Sequence, residues 1–248
     1  MRIALISDIH GNFVSLQAIW QDLARQQIDQ IICLGDVATL GPQPHEVVTF
    51  LRKHKIACLR GNHDEFILSP HTLHTYMDAA WFAESIHWCI SELTTEDLNF
   101  VRTFQPLLRF NFDDDTSLLC FHGSPHSTID LILATTPPIE VNRMLSGYRA
   151  TVMAGGHTHV QMFRQHNGLI LLNPGSVGMP FEQMPFVGAP RVLPQAEYAI
   201  ITWQDDALSV DLRRVSLDMT LVKQAALDSQ LPEYEDWIRN WLNRWDII

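Results

Sequence analysis

Hydrophobic positions in the first sixty residues switch between two periods. Arg2–Ser7 holds a continuous apolar run, the pattern of a strand covered on both faces. Phe13–Gln26 follows with Phe13, Leu16, Ile19, Trp20 and Leu23 at helical spacing. Ile31–Leu34 is a second short apolar run. Pro44–His54 returns to helical spacing through Val47, Val48 and Leu51, and Ile56–Arg60 reads as a third strand. This βαβαβ order predicts parallel strands joined by right-handed crossovers.

Beyond residue 70 the pattern changes. His74–Phe104 reads as a mostly helical insert with a break near Ser91–Thr95. Leu107–Phe112 and Ser117–Phe121 flank Asp113–Asp115 as a hairpin, and Ile139–Gly147 reads as a helix before a strand at Thr151–Ala154. Gln161–Gln165 and Leu169–Leu172 flank His166-Asn167-Gly168, whose Asn-Gly pair signals a tight hairpin. Tyr198–Trp203 and Leu208–Val215 form a further hairpin around Gln204–Ala207, and the chain is helical from about Asp218. No linker or repeat divides the sequence. The expectation is one α/β domain over residues 1–248, with a helical insert at about 74–104 and a C-terminal helical segment at about 218–248.

Composition narrows the class. An apolar fraction of 46% with 18% charged residues is that of a globular protein. A net charge of −11 argues against an extended nucleic-acid footprint, which needs clustered Lys and Arg. The longest apolar stretch, Met77–Ile90, is broken by Asp78, Glu84 and His87, so no membrane span is expected. Asp8 ends the N-terminal run too early for a signal peptide. Cys33, Cys58, Cys89 and Cys120 form no CxxC pair and read as small core residues in a reducing, cytoplasmic setting.

The twelve histidines carry more information through their placement. The first strand runs into Asp8-Ile9-His10-Gly11, the second into Gly35-Asp36, and the third into Gly61-Asn62-His63-Asp64. Ser117–Phe121 runs into His122-Gly123, and Thr151–Ala154 into Gly155-Gly156-His157-Thr158-His159. Ligands of open α/β sheets bind beyond the carboxyl ends of the strands, so five such ends deliver Asp, His and Asn into one crevice. If these segments stay extended, residues two apart point to one side, and Asp8 can meet His10 as His157 meets His159. Two carboxylates, one amide and four imidazoles are too many for one tetrahedral ion. Shared between two ions, they suit a hydrolytic two-metal site.

These blocks resemble the calcineurin-like metallophosphoesterases, whose pattern DxH, GD, GNH[DE], H and GHxH is complete and in order over residues 8–159. The resemblance implies a four-layer α/β/β/α sandwich of two mixed β-sheets. It also implies a metal role for Asp8, His10 and His159 at one ion and for Asn62, His122 and His157 at the other, with Asp36 bridging. His63 would touch the phosphate and protonate the leaving oxygen, and Asp64 would fix the tautomer of His63. The arginine that serine/threonine protein phosphatases and symmetrical dinucleoside tetraphosphatases carry soon after the bridging Asp is missing from Val37–Pro44. Together with His122-Gly123-Ser124-Pro125 and Asn173–Gly178, this is similar to the small bacterial and archaeal phosphodiesterase-like branch.

The expected activity is hydrolysis of small phosphodiesters by a hydroxide bridging two divalent ions. Four imidazole ligands favour Mn, Fe, Co, Ni or Zn over Mg, and manganese is the leading choice. The alternatives are a phosphomonoesterase acting on phosphoproteins or nucleotides, and a metal-binding scaffold without turnover. Three further features have two readings each. His126 is an exposed loop histidine or a substrate contact. The loop Met179–Gln195, with four prolines, is a surface excursion or a wall of the cleft. Trp237, Trp241 and Trp245, four residues apart, form a stripe that packs on its own domain or on a second copy in a homodimer.

Overall fold

The structure, a computed structural model, describes residues 1–77, 79–186 and 189–241. The first half runs β1 (Arg2–Ile6), α1 (Phe13–Leu23), β2 (Gln30–Cys33), α2 (Pro44–Lys53), β3 (Ala57–Cys58), α3 (Asn62–Leu68), α4 (Leu73–Tyr76), α5 (Ala80–Ser91) and α6 (Thr95–Arg102). The second half runs β4 (Leu108–Asn111), β5 (Ser117–Cys120), α7 (Pro138–Met144), β6 (Val152–Ala154), β7 (Met162–His166), β8 (Leu169–Asn173), β9 (Gln195–Gln204), β10 (Ala207–Ser216), α8 (Met219–Ser229) and α9 (Tyr234–Arg239).

Two five-stranded mixed sheets result, in the orders β10-β9-β1-β2-β3 and β4-β5-β6-β8-β7. β1, β2 and β3 are parallel, as are β5, β6 and β8, while β4, β7, β9 and β10 pair antiparallel. Alternation along β1 explains the layering. Ile3 and Leu5 point between the sheets and meet Leu118, Val152 and Leu172, whereas Ala4 and Ile6 point outward to Leu16, Ile19 and Val47. On the far face of the second sheet, Leu119, Phe121 and Met153 pack on Val141 and Leu145. Both faces of both sheets are thus covered, giving the α/β/β/α order. Fully buried Leu5 sits at the sheet–sheet contact, where truncation to Ala costs about 2–5 kcal/mol.

The two hairpins close by one geometry from different residues. Asn167 and Gly168 have φ of 49° and 78°, and Asp205 and Asp206 have 51° and 58°. Both are two-residue loops with left-handed central residues, which match the twist of the flanking strands. The third strand is shorter than Ile56–Arg60 because the chain turns to a new partner. Leu59 bridges Gln105, and the Arg60 N–H donates to the Gln105 carbonyl. Among the described residues the insert is three helices. α6 is capped by Thr94, whose hydroxyl accepts from the Asp97 N–H while Asp97 accepts from the Thr94 N–H.

The C-terminal segment is likewise interrupted. Gln230 takes φ 61° and Glu233 φ 53°, with Pro232 between them, so α8 and α9 are separate. Trp237 and Trp241 are buried against Met179 and Val192 of the loop that precedes β9. The stripe therefore packs on its own chain at these two positions, and Trp245 lies outside the described residues. No helix among the described residues is long and apolar enough to cross a membrane.

Candidate dinuclear metal centre

The loops after β1, β2, β3, β5 and β6 meet at one edge of the sandwich. The β1–β2 pairing continues past the strands, because Asp8 N–H donates to Gly35 O, His10 N–H to Asp36 O and Gly11 N–H to Val37 O. On the second sheet Gly156 N–H donates to His122 O, and His157 N–H donates across the gap to Asp8 Oδ2 at 3.1 Å. Two glycines permit close approaches within the site. A Cβ on Gly61 would run into the Asp36 carboxylate, and one on Gly156 into Ser7 Oγ.

The convergence of side chains does not come from strand alternation. β1 ends at Ile6 and β6 at Ala154, before the ligands begin. Asp8, His10, Asp36, His157 and His159 have φ of 53°, 46°, 56°, 66° and 57°, in the left-handed region. Asp and His tolerate that region better than branched residues, but each such residue still costs of order 1 kcal/mol. Asp8 and His10 are turned toward one group, with His159, while His157 joins Asp36 and His122.

The geometry of each group fits a divalent transition metal. His10 Nδ1 faces the Thr39 carbonyl at 3.2 Å and His159 Nδ1 faces the Met179 carbonyl at 2.7 Å. A carbonyl only accepts, so both Nδ1 atoms carry the hydrogen and both Nε2 atoms present lone pairs. Those Nε2 atoms face each other at 3.0 Å, where two lone pairs repel unless a proton or a metal cation lies between them. His159 Nε2 lies 3.4 Å from Asp8 Oδ1, a buried oxygen with no hydrogen-bond partner. In the second group His122 Nδ1 donates to Leu34 O at 2.8 Å, and its Nε2 lies 3.2 Å from both Asp36 Oδ2 and Asn62 Oδ1. Asp36 Oδ2 is also 3.9 Å from His10 Nε2, so this one oxygen faces both groups. Ligand atoms bonded at about 2.1 Å to one ion are roughly 3.0–3.4 Å apart, the spacing seen here.

Burial and the charges within the site set its protonation states. Burial, reinforced by His159, pushes His10 down to about 4, and burial with His122 pushes His157 down to about 4. Burial would raise Asp8, but His159 and His122 outweigh it and hold the carboxyl down to about 2. Burial is likewise outweighed at Asp36, which the neighbouring His122 and His63 keep well below the usual range. At His122 burial opposes charging, yet the Asp36 carboxylate wins and pushes it up to about 10. A bound cation would displace that proton.

His63 and Asp64 lie in the first turn of α3, and their placement corrects one expectation. Asp64 does not hydrogen-bond His63. Its fully buried carboxylate accepts from the N–H groups of Asp36 at 2.9 Å, Val37 at 3.1 Å and Gly61 at 2.9 Å. Thr39 takes the expected place, with Oγ1 at 2.7 Å from His63 Nδ1. Consecutive side chains on a helix diverge by about 100°, so Asp64 faces the loop after β2 while His63 faces the crevice. Thr39 thereby serves two histidines, His10 through its carbonyl and His63 through its hydroxyl. Sequence reasoning passed over it, since a lone Thr in a loop carries no pattern. Ser176 was also missed. Its Oγ donates to the Asp8 carbonyl and accepts from Met179 N–H, bracing the first ligand from behind.

Two cavities open onto the centre. One, of about 900 Å³, is lined by Arg60, Asn62, Glu65, His122, Ser124 and Thr128 among others. His126 belongs to this wall, but its Nε2 is held by the Ser146 carbonyl at 2.7 Å. The other, of about 760 Å³, is lined by His10, His63 and His159 together with insert residues, loop residues of 179–190 and α9. The loop after β8 is thus one wall of the cleft.

Comparison with known proteins agrees with this geometry. Residues 1–196 match the calcineurin-like phosphoesterase superfamily domain, and the chain belongs to that superfamily. It is a hydrolase of phosphoric esters, carrying two groups of side chains able to hold metal ions. An uncharacterized protein of Methanocaldococcus jannaschii is 26% identical over 238 residues, covering 94% of each chain. Phosphodiesterase YfcE of Escherichia coli is 24% identical over 239 residues, covering 92% of this chain and 99% of its own. Among solved structures, a metallophosphoesterase of Sphaerobacter thermophilus matches with a TM-score of 0.73 and 25% identity, over 97% of this chain and 98% of the other.

Proposed function

We propose that the protein hydrolyses small phosphodiesters at a dinuclear centre. One ion would be held by Asp8, His10 and His159, the other by Asn62, His122 and His157, with Asp36 between them. The observation that carries this is the pair of imidazole lone pairs at 3.0 Å, beside a carboxylate oxygen that faces both groups. Imidazole-rich donor sets suit Mn, Fe, Co, Ni or Zn, and manganese is the first to test. Two divalent ions, when bound, make hydroxide available near neutral pH and neutralise charge on the phosphoryl oxygens.

The chain's own groups supply the rest. His63 faces the crevice and gives its proton to the departing oxygen. Burial pushes the His63 imidazole down to about 3, so the free site holds it neutral. An arriving phosphate anion beside the ring favours the protonated form, which couples proton uptake to substrate binding. Thr39 Oγ1 sets the plane of the ring. The missing arginine between Val37 and Pro44 favours a diester, which carries one charge fewer than a monoester. Residues 1–248 are read as one catalytic domain.

The test is manganese-supported hydrolysis of bis-p-nitrophenyl phosphate beside p-nitrophenyl phosphate, each blanked with Asp36→Asn. Diester turnover that disappears in the variant is expected. Turnover of neither ester with any of the five metals would overturn the reading.

A further inference from the structure

The two cavities differ in chemistry, and His63 belongs to only one of them. It lines the 760 Å³ cavity, whose other walls are Tyr76, Trp81 and Phe82 of the insert, Phe181 of the loop after β8, and Trp237 of α9. The 900 Å³ cavity holds Asn62 and His122 and is walled by Arg60, Glu65, Ser124 and Thr128 together with Phe66, Ile129 and Leu131, and it shares Tyr76 with the first. Three large apolar side chains stand at the mouth of the aromatic cavity, with Tyr76 39%, Met77 40% and Trp81 50% exposed. Exposed apolar side chains gathered beside a reactive group mark a ligand surface. Phe181 also stacks on the His159 ring at 4.3 Å, so the aromatic wall reaches the metal ligands themselves.

Charge excludes one class of occupant. The ionised side chains that line the aromatic cavity are Glu233, Asp236 and Arg239, and Arg239 is paired with Asp236. A second phosphate or a polyphosphate would find no free cation there among the described residues. The leaving oxygen must point at the proton donor, so the group leaving with it enters the cavity that His63 lines.

Resting on the phosphodiesterase reading, we propose that the substrate is an asymmetric diester whose leaving alcohol carries an uncharged aromatic or apolar group, seated among Tyr76, Trp81, Phe82 and Phe181. The polar arm stays on phosphorus and occupies the cavity of Arg60 and Thr128. In the reaction water adds its oxygen to phosphorus, the P–O bond to the apolar alcohol breaks, and that alcohol leaves with the proton from His63. A phosphomonoester of the polar arm remains, one proton of water restores His63 and the other goes to solvent.

The test uses glyceryl 2-phenylethyl phosphate against glyceryl ethyl phosphate, two diesters with leaving alcohols of similar acidity. The expected products are 2-phenylethanol and glycerol phosphate, with kcat/KM about tenfold above the ethyl ester. Trp81→Ala should remove most of that preference and Trp81→Phe should keep most of it. Trp81 is half exposed, so neither change threatens the fold. Release of glycerol as the main path, or equal kcat/KM for the two esters, would overturn the inference. Bis-p-nitrophenyl phosphate run in parallel separates the two failures, since its hydrolysis tests only the phosphodiesterase reading. Should nothing turn over, calorimetric titration of the manganese-loaded protein with 2-phenylethyl and ethyl methylphosphonate decides. Tighter binding of the phenylethyl ester that Trp81→Ala abolishes supports the aromatic subsite, and equal affinities overturn it.

Discussion

Asp64 and Thr39 separate two jobs that are easily assigned to one residue, and a pair of variants tests the separation. Asp64 is fully buried and accepts three backbone N–H groups, from Asp36, Val37 and Gly61. In Asp64→Asn one carboxylate oxygen becomes an NH₂. If the amide oxygen keeps the two bonds of Oδ2, the Val37 N–H faces another donor. The loss is one bond to a charged acceptor, about 1.5–3 kcal/mol, plus about 1–3 kcal/mol for the unpaired N–H. Part is recovered, because burial and the neighbouring Asp36 push the Asp64 carboxyl up to about 7 and make its charge costly. A net loss of about 2–4 kcal/mol lowers Tm by roughly 5–15 °C for a chain of this size. Thr39→Val removes only the 2.7 Å contact to His63 Nδ1, at about 1 kcal/mol and about 2–4 °C. Its effect belongs in catalysis, as a fall in kcat that grows with the pKa of the leaving alcohol. Thermal melts and a leaving-group series on both variants provide the readouts. A melting point for Asp64→Asn within about 2 °C of the parent, or a leaving-group effect in Asp64→Asn and none in Thr39→Val, would refute the division.

Three further outcomes follow from features described above. Stripping metal by chelation should lower Tm and returning manganese should raise it with concentration, because the Nε2 lone pairs of His10 and His159 lose their common partner; a Tm insensitive to metal would contradict this. Glu197 is buried, which pushes its carboxyl from 4.5 up to about 7. A raised folded-state value means that its stability contribution is full below about pH 4.5 and lost as pH rises through about 7, by at most about 3 kcal/mol. Glu197→Gln should therefore flatten the fall in Tm between pH 5 and 8, and parallel profiles would count against it. At the β9–β10 hairpin, Asp205→Asn with Asp206→Gly should gain about 1 kcal/mol and raise Tm by about 2–4 °C, since both residues are left-handed; no rise would show that the turn is already relaxed.

The sequence made the site legible wherever a ligand followed an apolar run and sat beside a glycine. Asp36, Asn62, His122 and His157 all do, Asp8 follows its run three residues before Gly11, and all five lie in the crevice. The Asn167-Gly168 turn was readable for a similar reason, its residue types being those that left-handed geometry selects. Asp205-Asp206 adopts that geometry without the usual glycine, so it signalled only a turn. What stayed hidden depends on direction rather than on residue type. Asp64 adjoins His63 in sequence but points away from it on α3, and Thr39 reaches His63 from a loop with no periodicity to orient it. The separation of α8 from α9 was hidden too. Trp237 and Trp241 keep helical spacing although α9 ends at Arg239.

The left-handed ligands have a consequence for motion. Five residues of the candidate centre sit in a backbone region that L-residues avoid, and they are spread over three loops that bond to one another and to the loops after β5 and β8. Local opening releases that strain at once, so the free-energy gap between closed and open is smaller at this edge than in β1 or β9. In a metal-free protein the amides of Asp8, His10 and His157 would exchange with solvent ahead of the strands behind them. Loading the centre would slow all three together, because each loop carries a ligand to ions that the others share. The centre would then act as a clasp between the two sheets, and occupancy by metal would set how often the sandwich breathes at its carboxyl edge.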